Sequence, residues 1–259
     1  VTVIVLPPSE GKAPGGRKPW VPESGRFADF GPTRREVATA LATAMAGGVD
    51  AQRRLLGVGG ALLERAATAN AALVGSPALP AHERYRGVVH DHLDVASLAP
   101  PERRRANASV VILSALLGAV ALTDPVPDYK LKMGTSLPGL GPVARLWSAV
   151  LPEGLAALGR RGETLDLLPG EHAAAWQPRG PRVTHVRFEQ PAPDGDRVRA
   201  VGHGAKAVKG TLARYVIENP GQLHDVLPEF TWEGWTFDPG ASRQGSRSDD
   251  GLVVFLAPG

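Results

Sequence analysis

The chain opens on a β-branched run, Val1–Leu6, closed by Pro7-Pro8; this predicts a buried strand stopped by residues that cannot continue a ladder. The next stretch, Ser9 to Thr33, is rich in Gly, Pro and basic residues without periodicity and reads as a long loop. From Arg34 to Ala78 the pattern changes. Val37, Leu41 and Met45 recur at helical spacing, with breaks at Gly47-Gly48 and Gly57–Gly60, so helices are expected. After Pro77–Pro80 comes a short mixed segment, Tyr85–Leu98, and then a charged helix face at Arg103–Asn107. Val110–Leu117 reads as a second buried strand. Val143–Leu151 and Gly154–Leu158 predict helix, whereas Thr164–Leu168, Val183–Phe188 and Val198–Val201 predict strands. A helix over Thr211–Glu218 is ended by Asn219-Pro220; Trp232–Phe237, a polar loop and a last strand, Leu252–Leu256, complete the chain. Strands at both ends with helical stretches between them predict one α+β domain over residues 1–259, built on a mixed sheet.

Composition narrows the chemistry. With 43% hydrophobic and 21% charged residues the chain is globular rather than disordered. Cysteine is absent, which removes disulfides, thiolate nucleophiles and Cys-ligated metals and fits a reducing cytoplasm. No apolar run reaches the roughly 20 residues a bilayer requires, and Val1–Leu6 lacks the flanks of a signal peptide. A net charge of +3 permits an anionic partner without demanding one.

Four segments carry candidate chemistry. Gly57, Gly59 and Gly60 interrupt a helical region in the pattern of a helix-hairpin-helix. There backbone amides can receive a phosphate, and Arg53, Arg54 and Arg65 can neutralise its neighbours; an ordinary helix–helix turn has the same spacing. Ser9, Glu10 and Lys12 follow the first strand, where open sheets place ligand groups, although a solvated turn reads alike and the spacing is not that of a phosphate-binding P-loop. Lys130 and Lys132 alternate with Leu131 and Met133 behind Tyr129, so an extended backbone aims both lysines one way, toward an anion or as guards of a sheet edge. Lys206, Lys209 and Arg214 crowd a predicted helix start, where the dipole already favours an anion; a solvated face is the plain alternative. His90-Asp91-His92 forms no complete metal set, and no cofactor-binding motif is present.

In order, PPSEGK, YKLKMG, GAKAVKGTLARYVIEN and a terminal GLVVF strand resemble the YaaA family of bacterial peroxide-stress proteins over nearly the whole chain. The resemblance implies an α+β protein with a curved sheet and an inserted helix-hairpin-helix, here within residues 34–78. It also implies a role in protection from hydrogen peroxide and in DNA binding; with the hairpin pattern and the absent cysteine, the expectation is a cytoplasmic protein that binds double-stranded DNA without sequence preference. It further implies that Ser9, Lys12, Tyr129, Lys130, Met133, Gly134, Lys206, Lys209, Gly210 and Arg214 meet in one cleft. Lys132 stands where relatives can carry an acid and Lys209 where they can carry Arg, and the Asp166–Trp176 region matches loosely. A second expectation is therefore an enzyme acting on a small anionic, nucleotide-like or amino-acid-derived substrate. In it Lys12, Lys132 or Lys206 would supply a neutral amine, with Glu10 and Tyr129 as proton partners.

Overall fold

The computed structural model describes residues 2–192, 197–246 and 249–258; Val1, the start of the expected first strand, and part of the expected polar tail loop lie outside them. Among the described residues nine strands make the main sheet: β1 (Val3–Leu6), β2 (Val110–Ser114), β3 (Gly118–Ala121), β4 (Thr164–Asp166), β5 (Val183–Pro191), β6 (Arg197–Arg199), β7 (Thr231–Trp232), β8 (Trp235–Phe237) and β9 (Gly251–Leu256). The principal helices are α1 (Gly31–Met45), α2 (Val49–Leu56), α3 (Gly60–Ala71), α4 (Val88–Leu93), α5 (Pro100–Ser109), α6 (Val143–Gly154) and α7 (Gly202–Glu218).

The strand order is β7-β8-β9-β5-β4-β1-β2-β3, with β6 paired to β5. β1 runs parallel to β2 on one side and to β4 on the other; β4, β5 and β9 continue the parallel run, and β3, β6, β7 and β8 join antiparallel. The sheet is mixed and the fold is α+β. Every residue of β1 and β2 is buried, as expected of central parallel strands covered on both faces, and this explains their unbroken apolar runs.

The chain leaves β1 for β2 on one side and later returns to β4 on the other. β1 is thus the point where strand order reverses, and its carboxyl end opens on a crevice between diverging connections. That crevice is where the sequence placed its Ser-Glu-Lys loop.

Several local expectations are corrected. The Ser9–Thr33 segment is not a continuous loop: Gly11-Lys12 pairs antiparallel with Tyr85-Arg86, and α1 begins at Gly31 with Pro32 in its first turn, where a missing N–H costs nothing. α7 begins at Gly202 rather than Thr211. Val110–Leu117 holds a shorter strand and turns at Leu117, so that Gly118–Ala121 pairs back on β2.

Two arginines hidden in the core stitch these parts together. Arg34, 1% exposed, donates from its guanidinium to the carbonyls of Leu117, Pro22, Ser24 and Ala119 at 2.8–2.9 Å. Arg84, fully buried, donates to Val126, Ala13, Gly15 and Pro77 carbonyls. Burial pushes the Arg34 guanidinium down to about 10, still charged at any ordinary pH.

Candidate functional site

The loop after β1 is built on the Tyr85–Gly87 segment. Ser9 Oγ donates to the Arg86 carbonyl. A Cβ on Gly11 would stand 2.5 Å from that same oxygen, and Gly87, at φ +143°, would carry a Cβ 2.5 Å from Ser9 Oγ. Both positions need glycine, for different reasons: close approach at Gly11, and a left-handed backbone at Gly87. Held this way, Lys12 turns inward. Its Nζ donates to the Ser9 carbonyl at 3.0 Å and lies 3.9 Å from the Tyr129 ring centroid and 5.6 Å from that of Tyr85.

The second wall is the lysine segment, and α3 places it. Asn70, fully buried, donates to the Lys130 carbonyl at 2.9 Å and accepts from the Lys130 N–H at 3.0 Å. Both lysines then face Glu10: Lys130 Nζ is bonded to one carboxylate oxygen, and Lys132 Nζ lies 3.5 Å from the other. The alternation rule had put them on one side, and they share one acid. The hydrogen bond from Lys130, chiefly, holds the Glu10 carboxyl below its ordinary range. Beneath them the Tyr129 hydroxyl joins Ser114 Oγ at 2.7 Å and the Tyr85 hydroxyl at 2.9 Å. Burial drives the Tyr129 phenol up to about 12 and raises Tyr85 as well, so this chain of hydroxyls stays protonated. The Tyr129 hydroxyl is thereby turned to Ser114 and Tyr85, and Lys12 meets the face of its ring.

Ser9, Glu10, Lys12, Tyr129, Lys130 and Lys132 line a hollow of about 60 Å³, whose wall also includes Glu171 and His172 from the loop after β4. His172 is buried, and its Nδ1 makes no hydrogen bond. Burial, and then Lys209 nearby, push its pKa down to about 4, so the ring is neutral. A groove of about 820 Å³ shares Pro7–Glu10 and Glu171 with the hollow and runs on to Arg199, Lys206 and Lys209. Ser9, Lys12, Lys130, Lys132, Lys206 and Lys209 therefore border two connected spaces at one end of the sheet.

Lys12 and Lys209 differ from the other cations. Their ammonium ends are enclosed although their stems are half-buried, and burial lowers Lys12 to about 7 and Lys209 to about 8. Asp128 opposes this at Lys12 and Asp166 does so at Lys209, while Lys130 adds repulsion at Lys12, as Arg199 and Lys206 do at Lys209. Among the described residues neither amine makes an ion pair. The carboxylates near Lys12 are engaged: Glu10 by Lys130 and Lys132, and Asp128 by Arg65 at 2.9 Å.

Two residues expected in the cleft, Arg214 and Gly210, and one expected at the hairpin, Arg65, are engaged otherwise. Arg214 is on the opposite half of α7 from the helix start, bonded to the Leu93 and Asp94 carbonyls and Ser97 Oγ and paired with Glu218 at 2.8 Å. Gly210 is a packing position: a Cβ there would overlap the Val89 carbonyl oxygen and lie 2.8 Å from His92 Cβ. Arg65 is occupied by Asp128 and by the Lys12 carbonyl at 3.1 Å. α2 and α3 meet at the glycines, with Gly57 left-handed (φ +64°) as the cap of α2 and Gly59 extended before α3. Arg53 pairs with Asp50, and Arg54 is exposed.

Sequence reasoning missed the register pair Asp166–His185. β4 and β5 set these residues opposite each other; His185 Nδ1–H donates to the Asp166 carboxylate at 2.7 Å, and Asp250 approaches Nε2 at 3.3 Å. Chiefly the Asp166 bond raises the imidazole pKa. Only the strand pairing brings these acids to the histidine, and no sequence spacing announces it. Among the described residues no group of three or more acids and histidines is placed to hold a metal ion, and no helix is long and apolar enough to cross a membrane.

A sequence profile of the family described as peroxide stress protein YaaA matches residues 2–241. The chain belongs to this family. A UPF0246 protein of Streptomyces coelicolor is 36% identical over 241 residues, covering 89% of this chain and 91% of its own. A UPF0246 protein of Corynebacterium glutamicum is 34% identical, covering 86% and 88%, and one of Corynebacterium efficiens is 33% identical, covering 86% and 91%. In this YaaA-family chain the motifs that carried the resemblance are the ones that line or brace the crevice, with GLVVF as a parallel strand of the sheet.

Proposed function

We propose that this chain serves the peroxide-stress response as a binder of polyanions, holding double-stranded DNA without sequence preference along the α2–α3 hairpin while the lysine crevice takes an anionic group. The observation that carries this reading is the position of Lys132. Its Nζ lies 3.9 Å from where a Cβ on Gly57 would be, so the glycine turn and the rim of the hollow form one basic edge. Arg53 Nε stands equally near the Cβ position of Gly59. The first amides of α3 have no side-chain cap and lie at exposed glycines, which suits a phosphate oxygen.

The test is duplex binding across a salt series. Counterion release predicts log affinity falling linearly with log salt, with a slope near −0.9 for each phosphate neutralised. Replacing Gly57 and Gly59 together by Ala is expected to weaken binding by about tenfold, since Gly57 is left-handed. Absent or salt-insensitive binding, or an unchanged affinity in the double variant, refutes the reading.

A second reading, an enzyme acting on a small anionic substrate, is favoured by Lys12. An enclosed amine without a carboxylate partner is a poor structural cation and a good nucleophile or base.

A further inference from the structure

We infer that Lys12 is a carbonyl-reactive amine, which condenses with the aldehyde of a phosphate-bearing compound to form a Schiff base in the hollow at the end of β1. The inference rests on the anion-binding crevice proposed above but not on the hairpin.

The arrangement of partners singles Lys12 out. Lys130 and Lys132 are both held by Glu10, and Arg84 donates to four carbonyls. Lys12 donates one hydrogen bond, to the Ser9 carbonyl, and otherwise faces aromatic surface. Enclosure then keeps a substantial share of its amine unprotonated at neutral pH, with a free lone pair.

Shape selects the substrate. The hollow of about 60 Å³ admits a carbonyl and a short carbon arm but nothing as large as a nucleotide. The adjoining groove of about 820 Å³ has the room, and Arg199, Lys206 and the enclosed Lys209 supply the positive charge for a phosphate. A reactant with an aldehyde at one end and a phosphate at the other spans the two.

The step balances without an oxidant or reductant. The Nζ lone pair attacks the carbonyl carbon, the C=O π pair moves to oxygen, and the proton lost from nitrogen is matched by the one gained on oxygen. The carbinolamine then loses that oxygen as water, so amine plus aldehyde give imine plus one water. On taking up one proton from solvent water the imine is again a cation at the position Nζ holds, where the Tyr129 and Tyr85 rings stabilise it by cation–π attraction. The same chemistry is offered by a free sugar phosphate and by the ring-opened deoxyribose of an abasic site in DNA.

The experiment traps the imine on the wild-type chain with cyanoborohydride in two arms, glyceraldehyde 3-phosphate and a duplex carrying one abasic site. Peptide mapping locates the reduced adduct, and exposed Lys18 is the internal reference. The expected result, in at least one arm, is an adduct of the aldehyde less one oxygen on Lys12, at least tenfold above Lys18. The arm that reacts identifies the source. Lys12→Arg, checked for a native melting curve, is expected to lose the adduct. No adduct in either arm, or one spread evenly over exposed lysines, overturns the proposal, and this result is independent of any variant's folding. Binding of undamaged duplex is measured separately, so failure of the DNA reading and failure of this one give different results.

Discussion

Replacing Gly210 by Ala tests how α7 is seated on the crevice. In an exposed helix interior this change raises stability by about 1 kcal/mol, because Gly is the poorer helix former. Here the new methyl would overlap the Val89 carbonyl oxygen and stand 3.0 Å from its carbonyl carbon and 2.8 Å from His92 Cβ. The obstacle is mostly α4 backbone, which cannot rotate away as a side chain end can. Either α4 and α7 part by on the order of 1 Å or the helix distorts, and overpacking of this kind costs about 1–3 kcal/mol, with backbone contact at the upper end. A net loss of about 2 kcal/mol or more follows, and for a chain of this size a drop in Tm of roughly 4–8 °C. Displacing α4 also moves His90, whose Nε2 lies 3.1 Å from the Pro7 carbonyl and whose ring is 5.3 Å from that of Tyr85, so the Lys12 hollow deforms with it. Thermal melting by circular dichroism reads the first effect. A Tm equal to or above that of the parent protein refutes the reasoning, because the two terms have opposite signs.

Further expectations concern the arginine clamp, the rim acid and the buried histidines. Arg34→Met leaves four buried carbonyls without their donor and is expected to cost at least about 3 kcal/mol in urea unfolding; Arg34→Lys does not restore it, since one ammonium cannot reproduce the fork. Glu10→Gln releases Lys130 and Lys132 and is expected to tighten duplex or phosphate binding roughly two- to fivefold, a modest gain because the acid is largely solvent-screened; weaker binding in a titration counts against a cationic crevice. His90 and His172 are each lowered to about 4 by burial, so the stability they contribute is complete above the unfolded value near 6.5 and is lost as pH falls toward 4. The loss is on the order of 3 kcal/mol each; His185, with its raised pKa, acts oppositely, favouring the fold at low pH and losing that contribution as pH rises through its folded value. Unfolding midpoints from pH 7 to 4 check the balance, and a flat profile refutes it.

How far the sequence foretold this molecule depended on whether a signal was local. Val3–Leu6 and Val110–Ser114 were readable because strands buried on both faces carry unbroken apolar runs. The alternation of Lys130 and Lys132 predicted a shared side, and both reach Glu10. The first turns of α7 were obscured by Gly202 and Gly204, and Gly210 is kept for contact with α4 rather than for chain freedom. Arg214 was assigned to a helix start only because that start was placed nine residues late. Arg34, Arg84 and Asn70 look like surface residues in a sequence, and only the carbonyls they meet explain their burial. Which strands flank β1 depends on pairings far apart in sequence, so the crevice itself had no local signature.

The two enclosed amines explain what the crevice requires. Lys12 and Lys209 have folded pKa values far below the 10.5 of an ordinary lysine, so their contribution is complete only above that value and is lost as pH falls through about 7 and about 8. Near neutrality the protein therefore carries an electrostatic cost at both amines. Asp128 and then Glu10 at Lys12, and Asp166 at Lys209, relieve it incompletely: each raises the pKa of its neighbouring lysine, yet none closes an ion pair with it. A bound anion would supply the missing charge, restoring the protonated form of each lysine that it reaches. An aldehyde at Lys12 instead requires the deprotonated form. One pair of lysines can thus serve both tasks, provided the anion settles by Lys209 and leaves Lys12 neutral. The division follows from geometry, because the wide groove lies at Lys209 and the narrow hollow at Lys12.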